Sequence, residues 1–147
     1  MAHLVFRFGT PFPARNVPLR KNSEIKIAVL NADEEERREI SKLVTQRQYK
    51  VVPLNSLAEL EVCLEKNDCI AVLMDIDSVP VDNRTIRELT LKHPETYFLC
   101  TSKDRFHPDL KDAICYHIYA CLSKPVDPQE LFYWLKSIQE EDANSQN

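Results

Sequence analysis

Three polar residues, Asp75, Thr101 and Lys124, stand at the ends of separate apolar runs in the sequence. If each run is a strand of an open α/β sheet, a carboxylate, a hydroxyl and an ammonium group meet at the edge where ligands bind. A carboxylate can attack phosphorus to form an acyl phosphate, and an ammonium group can pair with a phosphoryl oxygen. The three residue types therefore indicate transient handling of a phosphoryl group.

Size and composition indicate one globular domain. The chain has 147 residues, of which 44% are hydrophobic and 29% charged, which suits a folded protein with a full core rather than a disordered one. No apolar run approaches the roughly 20 residues of a membrane helix. The first nine residues are too short for a signal peptide and contain Arg7, so we expect a cytoplasmic location and no membrane partner. The five cysteines lack CxxC or metal-site spacing, which favours buried, reduced thiols.

Charge and proline content divide the chain unevenly. Residues 1–23 carry a net charge of +4, whereas residues 24–147 carry −8. The first segment also contains Pro11, Pro13 and Pro18, which prevent a helix and favour extended chain. We therefore predict a basic, proline-rich arm at 1–23, a domain at 24–140 and a polar tail at 141–147. So acidic a domain is a poor general binder of nucleic acid.

Strand-like and helix-like segments alternate strictly from residue 24 onward. The predicted strands are 25–30, 51–54, 69–74, 96–100 and 119–122, and the predicted helices begin at or near Asp33, Ser56, Asn83, His107 and Asp127. Five such units predict an α/β fold with a doubly wound, five-stranded parallel sheet, (βα)5, in the flavodoxin-like order 2-1-3-4-5. Pro53 places the second strand at an edge, since proline cannot donate to a ladder. The switch point lies between strands 1 and 3, beside Asp75.

These residues resemble the receiver domain of response regulators, the phospho-acceptor module of two-component signalling. The resemblance covers residues 24–140: Asp75 matches the phospho-accepting aspartate, Thr101 the switch hydroxyl, and Lys124-Pro125 the lysine and the proline whose peptide bond is usually cis. It implies a single-domain receiver phosphorylated on Asp75 by a histidine kinase or a phosphotransfer protein. Because the sequence holds no output domain, the resemblance also implies signalling through contact with an output protein that remains to be identified.

The resemblance is weakest at the end of the first strand. The family places an acidic pair there to hold a divalent cation, but this chain has Asn31-Ala32 followed by Asp33. Asp33 or Glu34 would supply a carboxylate if the strand end shifts by one residue. Carboxylate oxygens are the ligands that Mg²⁺ prefers. We therefore expect a weakened Mg²⁺ site with Asp33, Asp75 and Asp77 as ligands.

Two other functional classes stay open. The first is a pseudo-receiver, which has the same fold but acts as an interaction module without phosphorylation; Asn31-Ala32 favours it and the three polar residues oppose it. The second is a flavodoxin-like enzyme or nucleotide binder, but the sequence lacks a glycine-rich phosphate loop and a nucleophile–base pair. We therefore expect no enzymatic activity beyond self-phosphorylation and dephosphorylation of the acceptor aspartate.

Overall fold

The computed structural model describes residues 21–66, 69–104 and 116–145. A short 3-10 helix, Asn22–Glu24, precedes the sheet. The strands are β1 (Lys26–Leu30), β2 (Lys50–Leu54), β3 (Cys69–Asp75), β4 (Tyr97–Ser102) and β5 (Ala120–Ser123), and the helices are α1 (Glu34–Gln46), α2 (Leu57–Glu65), α3 (Asn83–Lys92) and α4 (Pro128–Ser145). Most of the predicted arm and the helix predicted from His107 lie outside the described residues.

The five strands form one parallel sheet in the order β2-β1-β3-β4-β5. This order confirms the predicted fold and its switch point between β1 and β3. The edge position predicted for the strand that contains Pro53 is confirmed as well, because among the described strands β2 pairs with β1 alone. Strands β3 and β4 are buried along their whole length, as expected of central strands covered on both faces.

Two hydrophobic cores, one on each face of the sheet, hold the helices in place. Successive β1 residues point to opposite faces, so that Ile27 and Val29 join one core while Ala28 and Leu30 join the other. The first core also contains residues of α1 and α4, and the second contains residues of α2 and α3. Among the described helices, two therefore cover each face.

Helix α4 extends beyond the predicted end of the domain. It runs from Pro128 to Ser145, so the predicted tail at 141–147 overlaps its last turns. Its buried stripe ends near Ile138 and Gln139, and the polar residues beyond continue the helix without needing a core. In the described parts of the chain, no helix is both long and apolar enough to cross a membrane.

Asn22 connects the start of the described chain to two helices. The Asn22 side chain donates to the Arg47 carbonyl at 2.7 Å and accepts from Gln139 Nε2 at 3.0 Å. Residue 22 is therefore tied to the end of α1 and to the body of α4, and the boundary at residue 23 stays a prediction. The turn after α1 places Gln48 at φ 70°, a left-handed conformation that costs a side-chain-bearing residue some strain.

Candidate functional site

Strand register brings the three predicted residues to the carboxyl edge of the sheet. Asp75, the last residue of β3, lies directly beside Thr101 in β4. Lys124 follows β5, and its backbone N–H donates to the Ser102 carbonyl at 3.0 Å. The Lys124–Pro125 peptide bond is cis. The ends of β3, β4 and β5 therefore place the three side chains at one edge.

Asp75 is the buried centre of the site, with 2% of its surface exposed. Its Oδ1 accepts a hydrogen bond from the Thr101 hydroxyl at 2.9 Å and lies 2.6 Å from Lys124 Nζ. Its Oδ2 accepts from the Ser78 backbone N–H at 3.1 Å. The predicted proximity of Asp75, Thr101 and Lys124 is confirmed, and their chemical roles remain predictions.

Lys124 pairs with two further carboxylates. Its Nζ lies 2.7 Å from Glu36 Oε1 and 3.3 Å from Asp77 Oδ2, and only 12% of the side chain is exposed. Partial burial by itself would lower the pKa of Lys124. The hydrogen bonds and charges of Asp75, Glu36 and Asp77 outweigh burial and raise that pKa above its ordinary value. The Lys124 ammonium group therefore stays protonated, and three carboxylates surround it.

Asp77 ties the pocket to the end of β4. Its Oδ1 accepts from the Ser102 hydroxyl at 3.0 Å, and its Oδ2 accepts from the Lys103 backbone N–H at 2.8 Å. Burial alone would raise the pKa of Asp77, but these hydrogen bonds and the pairing with Lys124 lower it below its usual range. Asp77 therefore acts as an anchor for both Lys124 and the segment that leaves β4.

The end of β1 contributes an amide, not a carboxylate, to the site. Asn31 is buried, and its Nδ2 donates to Glu36 Oε1 at 2.8 Å. Its Oδ1 accepts from the Asp33 backbone N–H at 2.8 Å and from the Ser78 hydroxyl at 3.1 Å. The Ser78 hydroxyl in turn accepts from the Ala32 backbone N–H at 3.0 Å. Asn31 and Ser78 therefore join the loops that follow β1 and β3.

The predicted set of metal ligands is not assembled. Asp33 is exposed, and its carboxylate accepts the Glu36 backbone N–H at 3.1 Å as the N-cap of α1. Asp75 and Asp77 both contact the Lys124 ammonium group instead. Across residues 21–66, 69–104 and 116–145, no group of three or more His, Cys, Asp or Glu side chains is arranged to hold a metal ion. In the structure Asp33 caps α1 while Asp75 and Asp77 pair with Lys124, and Asp33, Asp75 and Asp77 as joint Mg²⁺ ligands stay a prediction.

Sequence reasoning missed two residues of the site, Glu36 and Ser78, and placed Asn31 beside Asp75 without assigning it a contact. Glu36 stands three residues after Asp33, the spacing of a capping box, in which its side chain would bond back to the Asp33 N–H. Because the Asn31 side chain already accepts from that N–H, Glu36 turns toward Lys124 instead. The first turn of α1 contains three consecutive glutamates, and no local pattern distinguishes the one that faces the pocket.

No protein-family model matches the sequence, and no curated protein does either. Solved structures do resemble this fold. One is the signal receiver domain of an HD domain-containing protein from Pseudomonas fluorescens Pf-5, with 22% identity, a TM-score of 0.73, and coverage of 90% of this chain and 98% of that one. Another is a CheY-like response regulator receiver domain from Methylobacillus flagellatus, with 17% identity, a TM-score of 0.67, and coverage of 78% and 98%.

A third similar structure is the receiver domain of a response regulator from Saccharomyces cerevisiae, solved in complex with its histidine phosphotransfer signalling protein. It shares 10% identity and a TM-score of 0.68, with coverage of 82% of this chain and 92% of that one. At these identities the likeness establishes the fold. Together with the strand order and the confirmed edge of the sheet, it shows that the chain has the fold of response regulator receiver domains.

Proposed function

We propose that this protein is a single-domain receiver that accepts a phosphoryl group on Asp75 and signals through contact with another protein. The observation that supports the proposal is the arrangement at Asp75, where one carboxylate oxygen contacts both the Thr101 hydroxyl and the Lys124 ammonium group. These groups lie at the edge where open α/β sheets bind ligands.

The transfer step needs only a nucleophile from this chain and a phosphorylated donor. An Asp75 oxygen forms a bond to phosphorus while the bond between phosphorus and the donor's imidazole nitrogen breaks. Lys124, already 2.6 Å from the carboxylate, then pairs with an oxygen of the transferred group. The Thr101 hydroxyl, freed from Asp75, hydrogen-bonds another oxygen and repacks the end of β4, which would transmit the event to the surface.

The donor that we propose is a histidine kinase or a histidine phosphotransfer protein. The similar receiver domain from Saccharomyces cerevisiae was solved with a partner of the second kind. The output is proposed to be an unidentified protein, the location cytoplasmic, and the only catalysis the phosphorylation and dephosphorylation of Asp75. The residues present do not fit the divalent cation that the resemblance implies, because the carboxylates of the pocket contact Lys124 and Asp33 caps α1.

Phosphoryl labelling of variants tests the assignment of Asp75. We expect the parent protein to take label from a phosphohistidine donor or acetyl phosphate, and Asp75→Asn to take none while it keeps the fold. Asp77→Asn is the matched control, because it removes a neighbouring carboxylate that also contacts Lys124 but does not lie at the end of β3. If Asp75→Asn labels as well as the parent, the acceptor is another residue.

The second candidate is the pseudo-receiver, and one observation favours it. The end of β1 presents the Asn31 amide, and the Lys124 ammonium group pairs with Glu36 as well as with Asp75. On this reading the pocket is a structural ion-pair network, and the surface acts without phosphorylation. A parent protein that takes no label from any donor, but binds its partner as tightly as Asp75→Asn does, would establish this function.

A further inference from the structure

The carboxylates of the pocket already surround a cation. Lys124 Nζ lies 2.6, 2.7 and 3.3 Å from oxygens of Asp75, Glu36 and Asp77, which come from the end of β3, from α1 and from the loop after β3. The lysine side chain is 12% exposed, so little solvent screens these contacts. An ammonium group is a compact charge that three oxygens can contact at once.

Two other oxygens near the end of β1 also have partners. The Asn31 Oδ1 accepts from Asp33 and Ser78, and the Asp33 carboxylate accepts from the backbone of Glu36. A magnesium ion needs near-ideal octahedral geometry and usually one or two carboxylates beside its waters. The carboxylate oxygens that converge in this pocket, Asp75 Oδ1, Glu36 Oε1 and Asp77 Oδ2, are the ones that Lys124 contacts.

We propose that the Lys124 ammonium group occupies the cation position of this pocket, so that Lys124 and a divalent cation exclude each other. Glu36 is the residue that makes this arrangement possible, because it supplies from α1 a carboxylate that β1 lacks. The inference concerns the same pocket as the proposed function but requires no phosphoryl transfer.

Calorimetric titration of the full chain with MgCl2, without any phosphoryl donor, tests the exclusion. We expect weak, non-saturating binding by the parent protein. Lys124→Met should bind one Mg²⁺ at least about tenfold more tightly, because it removes a positive charge within a few ångströms of the ion, a repulsion that even water screens only in part. Lys103→Met is the matched control: it changes the net charge equally, but Lys103 is exposed and meets Asp77 through its backbone.

A second substitution tests the part played by Glu36. Placed in the Lys124→Met background, Glu36→Gln should weaken the regained Mg²⁺ affinity, since one of the three carboxylates becomes a neutral amide. Amide NMR of the parent supplies a measurement that does not depend on the folding of any variant. The signals of Asp75, Asp77 and Ser78 should stay unchanged at cellular Mg²⁺ concentrations.

Three outcomes would overturn the proposal. They are saturating Mg²⁺ shifts at those amides in the parent, equal Mg²⁺ affinities of Lys124→Met and Lys103→Met, or an unchanged affinity after Glu36→Gln in the Lys124→Met background. The measurements use no phosphoryl donor. A protein that never takes phosphoryl label can therefore still support or overturn this proposal. Failure of this inference is therefore distinguishable from failure of the proposed function.

Discussion

The ion pairs of Lys124 predict an asymmetry between two substitutions at the same contact. Lys124→Met leaves the Asp75 carboxylate, which is 2% exposed, without a cation and leaves Glu36 and Asp77 facing it. Asp75→Asn leaves Lys124 with two carboxylates, at 2.7 and 3.3 Å. Removing the lysine should therefore cost far more stability than removing the aspartate.

The magnitudes follow from the cost of buried, uncompensated charge. Removing one partner of a buried ion pair costs about 3–5 kcal/mol, and we expect a loss in that range for Lys124→Met at neutral pH. For Asp75→Asn we expect a change within about 1 kcal/mol, because the amide oxygen still accepts hydrogen bonds and two of the three ion pairs persist. In a chain of this size about 1 kcal/mol corresponds to roughly 2–4 °C in Tm.

Urea unfolding followed by Trp134 fluorescence measures these differences, since Trp134 is buried in the core that contains α4. The measurements are made without divalent cations so that no ion replaces the lysine. In the double variant Asp75→Asn/Lys124→Met, most of the loss should be recovered, because the buried charge is gone. The reasoning is refuted if Lys124→Met costs no more than Asp75→Asn, or if the double variant is as unstable as Lys124→Met.

Three further substitutions have expected outcomes. Tyr49→Phe removes a buried hydrogen bond to Gln139 and should cost about 1 kcal/mol at neutral pH. Burial raises the pKa of Tyr49 from 10.0 to about 12. The stabilising effect of the protonated Tyr49 hydroxyl is therefore complete below pH 10 and is lost as pH rises through 12. The alkaline loss of stability should be smaller in Tyr49→Phe. Asp82→Ala removes the N-cap of α3 and should lower the midpoint of urea unfolding, and a neutral result would contradict the capping assignment. Asn31→Asp places a carboxylate where an amide donates to Glu36 at 2.8 Å, so thermal unfolding should show a loss of about 1–3 kcal/mol, and an unchanged Tm would argue against that contact.

Apolar periodicity and helix caps predicted the strands and the edge that carries the site, and the fold class that they indicate supplied the strand order. Apolar runs of strand length alternated with capped helical segments, and this pattern requires a parallel sheet with right-handed crossovers. Pro53 predicted the edge strand correctly because the absence of its N–H is a local property. The proximity of Asp75, Thr101 and Lys124 followed in turn, since parallel strands end at one edge.

The sequence was less informative about the ends of the domain than about its strands. The boundary at residue 23 and the tail from 141 stay predictions, while Asn22 bonds to Arg47 and Gln139 and α4 continues to Ser145. Polar residues were interpreted as a solvent-exposed tail. A helical turn that extends beyond the core is polar as well, so composition does not distinguish the two. The sequence contains no glycine after Gly9, and among the described residues Gln48 has the one positive φ.

Only the folded structure shows that Glu36 and Asp77 join the predicted pair of Asp75 and Lys124. Glu36 lies in another element, and nothing in its local sequence indicates that it meets Lys124. The role of Asp33 as the cap of α1 likewise depends on how the loop after β1 packs against the helix. Periodicity predicts which residues are buried and which element they join. The pairing of side chains at an edge lined by loops depends instead on how several loops finally pack, and that packing turns Glu36 toward Lys124.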